Sequence, residues 1–553
     1  MQDQADVHRA DLLSRRDFVR ASMGGASTLA LGRFALAEET TWTGKTSDMN
    51  ILFIVVEDWS TAGLRCFGND IVKTPHVDAF ARSGVRFNRA YCSVPICNPS
   101  RTSLCTGLRP DTTGVYGNAD IMNRHLPAEA THIAELLKSR GAFVAAMGKL
   151  YHKTYAAEKQ LAAFDRLEFC KLPKGYEGIS KGFKLPPGTP PPLEKSWKYS
   201  PDPKLDAELK RLRQERDELE KRYPPGTPGR HEKVYKAFYQ KWTELLGDSG
   251  EREEHTYDGK IARCAAGMLR EFAADGRQFF LSVGLHAPHT PLLAPKKYVD
   301  MYDPDKMPMP SAPPDRDRNI PAVACSPDQN YDLFIKQPQT PERVRKAIAS
   351  YYACSSFVDA QIGVVLDALA KTHLADNTIV VLFADHGFHL GEHGRWSKYS
   401  LFEQSTRVPM IVRVPGAAGN GRTCNEIVEL VDLLPTLTDL WAIKPPPNCE
   451  GTSFRPLVHD PGRPWKKAAL TMLSRGKGLG RSVRTKRHRY TEWRSDKSKP
   501  GETQPQAVEL YDLQTEPWEQ NNLAGGPKHE ATQRTMSDML RAGWRSALPP
   551  ERT

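Results

Sequence analysis

Cys97-Asn98-Pro99-Ser100-Arg101 sets a thiol four residues ahead of a guanidinium, and Thr102-Ser103-Leu104-Cys105-Thr106 carries it to a turn at Gly107-Leu108-Arg109-Pro110. A cysteine near the boundary of an element is by default a small buried hydrophobe, so the stretch gains meaning only from its company. That company is carboxylates and imidazoles, each following an apolar run: Glu57-Asp58, His286-Ala287-Pro288-His289 and Asp385-His386. Basic groups and a further imidazole stand in Gly148-Lys149-Leu150-Tyr151-His152 and at Lys398. Singly, each is a surface carboxylate or a satisfied histidine. Together, Glu57, Asp58, Asp385 and His386, all placed just after apolar strands, favour a metal site. Ligands that are mostly carboxylate oxygens select a hard ion such as Ca²⁺ or Mg²⁺.

For these residues to meet, their runs must end on one side of a sheet. Asn50–Val56, Gln278–Leu285, Thr378–Ala384 and Met410–Val414 are short, rich in branched and aromatic residues and bounded by charges or turn formers, which predicts buried strands. Thr131–Arg140, Asp258–Asp275 and Pro341–Lys371 repeat apolar residues at intervals of three and four, which predicts helices. The alternation predicts an α/β fold, a mixed, mostly parallel sheet between helices. Ligands of such sheets collect at the carboxyl ends of strands.

The rest of the chain is arranged around this body. Residues 171–255 read as an insertion, with stiff proline-rich stretches at Pro186–Pro192 and Pro224–Gly229. Between them, Lys204–Tyr223 sets Leu205, Leu209, Leu212 and Leu219 at helical spacing among charges. The reading is a surface helix packed on the main domain, with a partner-gripping helix as the alternative. Lys444-Pro445-Pro446-Pro447 reads as a linker between a main domain, residues 38–443, and a smaller C-terminal subdomain, residues 444–553. There Arg481–Trp493 and Val508–Leu513 alternate in a strand-like way, predicting an antiparallel sheet. Residues 1–37, with Arg15-Arg16 ahead of the weakly apolar Ala21–Leu36 and with Ala35-Leu36-Ala37, resemble a twin-arginine export signal, which implies a periplasmic or secreted protein.

No uninterrupted apolar run reaches the ~18 residues that span a bilayer, so no integral membrane association is expected. The 77 Lys+Arg against 66 Asp+Glu leave a net charge of +11, which favours anionic ligands without pointing to nucleic acid. The ten cysteines include no C-x-x-C pair of the kind that marks a structural zinc site.

The motifs and their order resemble the type I, formylglycine-dependent sulfatase family. C-x-P-S-R at Cys97 resembles its signature, Asn50–Asp58 its first metal-binding strand and Thr74-Pro75-His76-Val77-Asp78 its T-P-x-x-D segment. Gly148–His152 matches G-K-x-x-H, His286–His289 matches H-x-P-H, and Asp385–Lys398 matches D-H-G-x-x-L-G-E-H-x-x-W-x-K, most like the iduronate-2-sulfatase branch. The likeness covers residues 48–155 and 258–440, with Glu509–Leu513 near the end, and leaves the insertion uncovered.

The resemblance implies an alkaline-phosphatase-like fold and a sulfuric ester hydrolase. It implies formylglycine made from Cys97 by a formylglycine-generating enzyme, and one Ca²⁺ ion held by Glu57, Asp58, the modified Cys97, Asp385 and His386. The family often has Asp where this chain has Glu57, one methylene longer, which puts that ligand in question. In the implied mechanism a hydroxyl of the hydrated aldehyde attacks sulfur with Asp385 as base, and His289 protonates the departing sugar oxygen. Lys149 and Lys398 hold sulfate oxygens and Arg101 positions the diol. His152 then removes the second hydroxyl's proton, so that the aldehyde re-forms and sulfate leaves. His393 reads either as a substrate contact or as structural, and His286 as a supporting residue.

The implied partner is a sulfated mono- or oligosaccharide. Its selectivity is expected in Trp59-Ser60, Asn118–Arg124, the insertion and the C-terminal subdomain. A phosphodiester or phosphonate hydrolase of the same superfamily, and a glycan-binding relative that has lost turnover, are the competing readings.

Overall fold

The computed structural model describes residues 45–550 apart from 121, 153–160, 170–202, 225–226, 228–240, 242, 326–332 and 335–336. The expected export signal and much of the insertion lie outside the described residues. Sixteen strands are described: β1 Asn50–Val56, β2 Val85–Tyr91, β3 Phe143–Gly148, β4 Arg166–Glu168, β5 Leu246–Asp248, β6 Phe279–Leu285, β7 Leu292–Ala294, β8 Thr378–Ala384, β9 His389–Leu390, β10 Trp396–Ser397, β11 Arg407–Arg413, β12 Thr423–Glu429, β13 Ala468–Arg475, β14 Gly478–Thr485, β15 His488–Arg494 and β16 Ala507–Asp512.

The main sheet has the order β12-β2-β11-β8-β1-β6-β3-β4. Its neighbours pair in parallel except where β11 runs against both β8 and β2. β1, β6 and β8 are buried at every position, so helices cover both faces there. Helices Tyr257–Asp275 and Pro341–Lys371 pack on one another, and Cys97–Thr106 packs with Leu433–Leu440. Pro341–Lys371 is long and apolar enough to cross a membrane, but 83% of its most apolar window is buried inside the protein, as the central helix of the core.

Three of the four strands expected from apolar runs keep their C-terminal ends, because a strand buried on both faces has no polar alternation to blur it. The fourth is shifted, running from Arg407 to Arg413. Within the insertion, the expected Lys204–Tyr223 helix runs from Pro203 to Arg222, and its Leu212 is buried.

The C-terminal sheet is antiparallel, in the order β13-β14-β15-β16. The alternating segment Arg481–Trp493 is not one strand. It is most of a hairpin, β14 turning at Lys486-Arg487 into β15. Ion clusters join this sheet to the main one. Glu403 accepts from Arg484 and Arg489 at 3.0 and 2.6 Å, and Arg489 reaches Glu519. Arg109 grips Glu429 with both terminal nitrogens at 2.8 and 2.7 Å, while Lys466, just ahead of β13, bridges Glu429 and Asp432.

Candidate active site

Register brings the chemistry to one level. Val56 pairs with Leu285 on one side and Ala384 on the other, so β1, β6 and β8 end together. The next backbone bonds continue the ladder, Glu57 N to Leu285 O at 3.1 Å and Asp385 N to Val56 O at 3.2 Å. Beyond β2 the chain crosses the rim and Cys97 opens the helix Cys97–Thr106, every residue of which is buried.

Cys97 Sγ lies 3.3 Å from His386 Nε2 and 3.5 Å from Lys398 Nζ. Lys398 also donates to both oxygens of Asp58, at 2.7 and 2.9 Å. His386 Nδ1 donates to Gly387 O at 3.0 Å, which fixes the proton there and turns the Nε2 lone pair toward Asp58, 3.3 Å away, and Cys97. Arg101 donates through Nε to Asp385 Oδ2 at 2.8 Å and through Nη1 to the carbonyls of Lys149 and Leu150. Asp58, Cys97 and His386 offer ligand atoms that all lie within 4.8 Å of one another.

Glu57 faces a different set. One oxygen takes Lys149 Nζ and the other His286 Nδ1, at 2.7 Å for the latter. His286 stacks on His289, with centroids 4.8 Å apart. His289 Nδ1 donates to Thr290 O at 2.9 Å, so its Nε2 is the basic nitrogen, and Glu57, Cys97 and His289 form a second group within 4.8 Å. His152 is buried three residues past Lys149.

Electrostatics follow from depth. Burial pushes the Cys97 thiol up to about 12 despite the ammonium of Lys398, so as a plain cysteine it is protonated at neutral pH and a poor nucleophile. Burial also opposes ionisation of Asp385, but the cationic Arg101, Lys149 and Lys398 outweigh it and hold that carboxyl well below the usual range. Burial keeps His386 neutral, the form that binds metal.

Two buried aspartates, an imidazole with its lone pair turned inward and the neighbouring side chain of residue 97 fit a hard divalent cation. The backbone is strained around them: Asp58, Ser397 and Tyr399 have φ of 53°, 80° and 60°, a region non-glycine residues enter at a cost of ~1–3 kcal/mol.

The model of the family described as Sulfatase matches residues 49–443. The chain belongs to the sulfatase family. A second model, N-sulphoglucosamine sulphohydrolase, C-terminal, matches residues 391–545. The sulfatase is 29% identical to iduronate 2-sulfatase of Mus musculus over 91% of this chain and 96% of that one. Among solved structures it resembles the phosphonate monoester hydrolase of Agrobacterium radiobacter, with TM-score 0.63 and 21% identity over 89% of this chain and 94% of the other. It also resembles a protein solved in complex with its substrate D-glucosamine-2-N,6-O-disulfate, with TM-score 0.64 and 19% identity over 90% and 98%. The chain is thus a sulfuric ester hydrolase on an alkaline-phosphatase-like fold.

Two residues of this sulfatase that hold the site carry no motif. Tyr351, on the central helix, donates to Asp58 O and accepts from Ser60 N, both at 2.7 Å, and so fixes the strained turn after β1. Asp258, in the first turn of Tyr257–Asp275, accepts from the amides of His286 and Ala287, both at 2.7 Å, and so sets the turn that carries His289. Each sits within an expected helix, where spacing reports only the apolar stripe.

Proposed function

We propose that the enzyme removes sulfate from a sulfated mono- or oligosaccharide, using formylglycine generated from Cys97 and one Ca²⁺ ion. The observation that carries this reading is the charge pattern around the buried Cys97. Three carboxylates, Glu57, Asp58 and Asp385, face three basic groups, Arg101, Lys149 and Lys398. That set is neutral as it stands, and a divalent cation makes it electropositive, matched to an anionic ester.

Asp58, Asp385 and His386 would hold the ion with the oxygen of residue 97, and Glu57 from the Lys149 side. When present, formylglycine supplies an oxygen nucleophile with a second ionisable hydroxyl, which serine lacks, and Ca²⁺ supplies charge for the sulfate oxygens. Lys398 and Lys149 turn from their carboxylates to the sulfate oxygens. Asp385 would accept the proton of the attacking hydroxyl, and Arg101 keeps that carboxylate and the Lys149 backbone in place. His289, protonated on Nε2, donates to the departing sugar oxygen, and His152 accepts the proton that lets sulfate go.

The likeness to iduronate 2-sulfatase over most of both chains supports a sulfated uronic acid or a related polysaccharide-derived sugar. Export through residues 1–37 to the periplasm or beyond belongs to the same reading, and the N-terminal residue of the mature protein checks it.

Two measurements test the proposal together: mass spectrometry of the peptide containing residue 97, and desulfation of defined sulfated di- and oligosaccharides with and without chelator. The aldehyde, chelator-sensitive desulfation and a Cys97→Ser variant that binds substrate but turns over poorly are expected. Normal turnover by that variant without any aldehyde would sink the mechanism. The phosphonate hydrolase neighbour shares the fold, so nitrophenyl sulfate is compared with bis-nitrophenyl phosphate. Faster turnover of the phosphate diester would favour that chemistry instead.

A further inference from the structure

His393 belongs to the Asp385–Lys398 motif but has no part in the proposed reaction. Its backbone is held at φ 56°, and its amide donates to Ala312 O at 2.6 Å. The ring stacks on Phe402, centroids 4.2 Å apart and planes 13° apart. Its side chain is wholly buried, with Nδ1 2.9 Å from Asp317 Oδ1 and Nε2 without a hydrogen-bond partner among the described residues. Cys325 completes the group: its Sγ, a carboxylate oxygen of Asp317 and a ring nitrogen of His393 lie within 4.8 Å of one another.

We propose that Asp317, Cys325 and His393 bind a zinc ion at a site separate from the Cys97 centre. A thiolate, an imidazole and a carboxylate form a borderline-soft set, the kind that takes Zn²⁺ rather than the hard ion suited to Asp58 and Asp385. Charge closes as well, since thiolate and carboxylate together neutralise a divalent ion. Ligand atoms around tetrahedral zinc lie about 3.3–3.7 Å apart, so side-chain shifts of about an ångström complete the set and leave a fourth position for water. Asp317 and Cys325 are partly exposed, which gives the ion a way in. Burial keeps the Cys325 thiol protonated, at about 12, and binding would release that proton as zinc takes the thiolate.

The ion would join two segments that are distant in sequence. His393 belongs to the turn that leads to Lys398. Asp317 and Cys325 belong to the segment 313–325, whose Ala312 neighbour accepts from the His393 amide. Arg318, beside Asp317, pairs with Gln520 and Asn522 of the C-terminal subdomain at 2.7 and 3.0 Å. Zinc would thereby brace the segment that presents Lys398.

The test uses the full chain with Cys97→Ala, so that no thiol remains at the catalytic centre, stripped with chelator and titrated with Co²⁺. The expected result is a thiolate-to-cobalt charge-transfer band in the near ultraviolet that Zn²⁺ abolishes and that Cys325→Ser removes. No band at saturating Co²⁺, or a band that survives Cys325→Ser, overturns the proposal. A second measurement needs no variant. Alkylation of Cys325 in the folded wild-type chain, read by peptide mass spectrometry, should slow at least about tenfold with Zn²⁺, and an unchanged rate overturns the site.

Discussion

Asp58 keeps its strained conformation because one hydroxyl, that of Tyr351, ties its carbonyl to the Ser60 amide. Tyr351→Phe leaves both groups buried and unpaired, with an expected loss of about 1–3 kcal/mol in urea unfolding and a lower chelator concentration for half-inactivation. Asp258 offers two acceptors to two amides, whereas Asn would set an N–H against one of them. Asp258→Asn should lower kcat more than it raises KM, because His289 is displaced while Lys149 and Lys398, the lysines proposed to hold sulfate, stay. Steady-state kinetics on one sulfated disaccharide decide this. Both residues were invisible as site residues, since a tertiary hydrogen bond leaves no mark on spacing. Cys97, Lys398 and Asp385 were legible because their chemistry needs particular residue types in a particular order. The Glu57 pairing with Lys149 and His286 was not, because a longer carboxylate says nothing about which neighbour it finds.

Among the elements, the contact of β3 with β6 leaves no room for side chains. Gly148 has φ +80°, and a Cβ there would lie 2.2 Å from Gly284 O; one on Gly284 would lie 2.1 Å from Lys149 O. Two bare backbones therefore set where Lys149 leaves the sheet and where Arg101 finds its carbonyl. Gly284→Ala must push β3 away, at an expected cost of about 1–3 kcal/mol or more, with kcat falling alongside. Thermal melting and kinetics of the one variant report both. β1, β6 and β8 were readable as unbroken apolar runs. β2, VRFNRAY, and β12, TCNEIVE, were not, because polar residues alternate through them where the sheet nears its edge and the C-terminal subdomain. The hairpin of β14 and β15 merged into one segment because Lys486-Arg487 carries none of the usual turn residues.

At the scale of the whole molecule, buried ion clusters hold the C-terminal sheet to the catalytic one. Burial works against the charges of Glu403 and Glu429, but arginines, with Lys466 beside Glu429, outweigh it and hold both carboxyls well below the usual range. Unfolded, they titrate near ~4.3. Their contribution is therefore full above that pH and is lost as pH falls through it toward the folded-state values. Asp432 and Glu519, raised first of all by burial, take up protons earlier and do not set this acid limb. Melting temperature should drop steeply below about pH 4, and Glu429→Gln should flatten that drop while melting lower at neutral pH. The net charge of +11 acts at longer range, so kcat/KM on a polyanionic glycan should decline as salt rises, and more than on a monosulfated monosaccharide. The depth of Cys97, 1% exposed at the start of a wholly buried helix, imposes a schedule. An enzyme that oxidises this thiol needs a length of open chain around it. On the proposed reading, conversion of Cys97 to formylglycine would have to run ahead of folding, and a chain that closed first would be committed to remaining a cysteine protein.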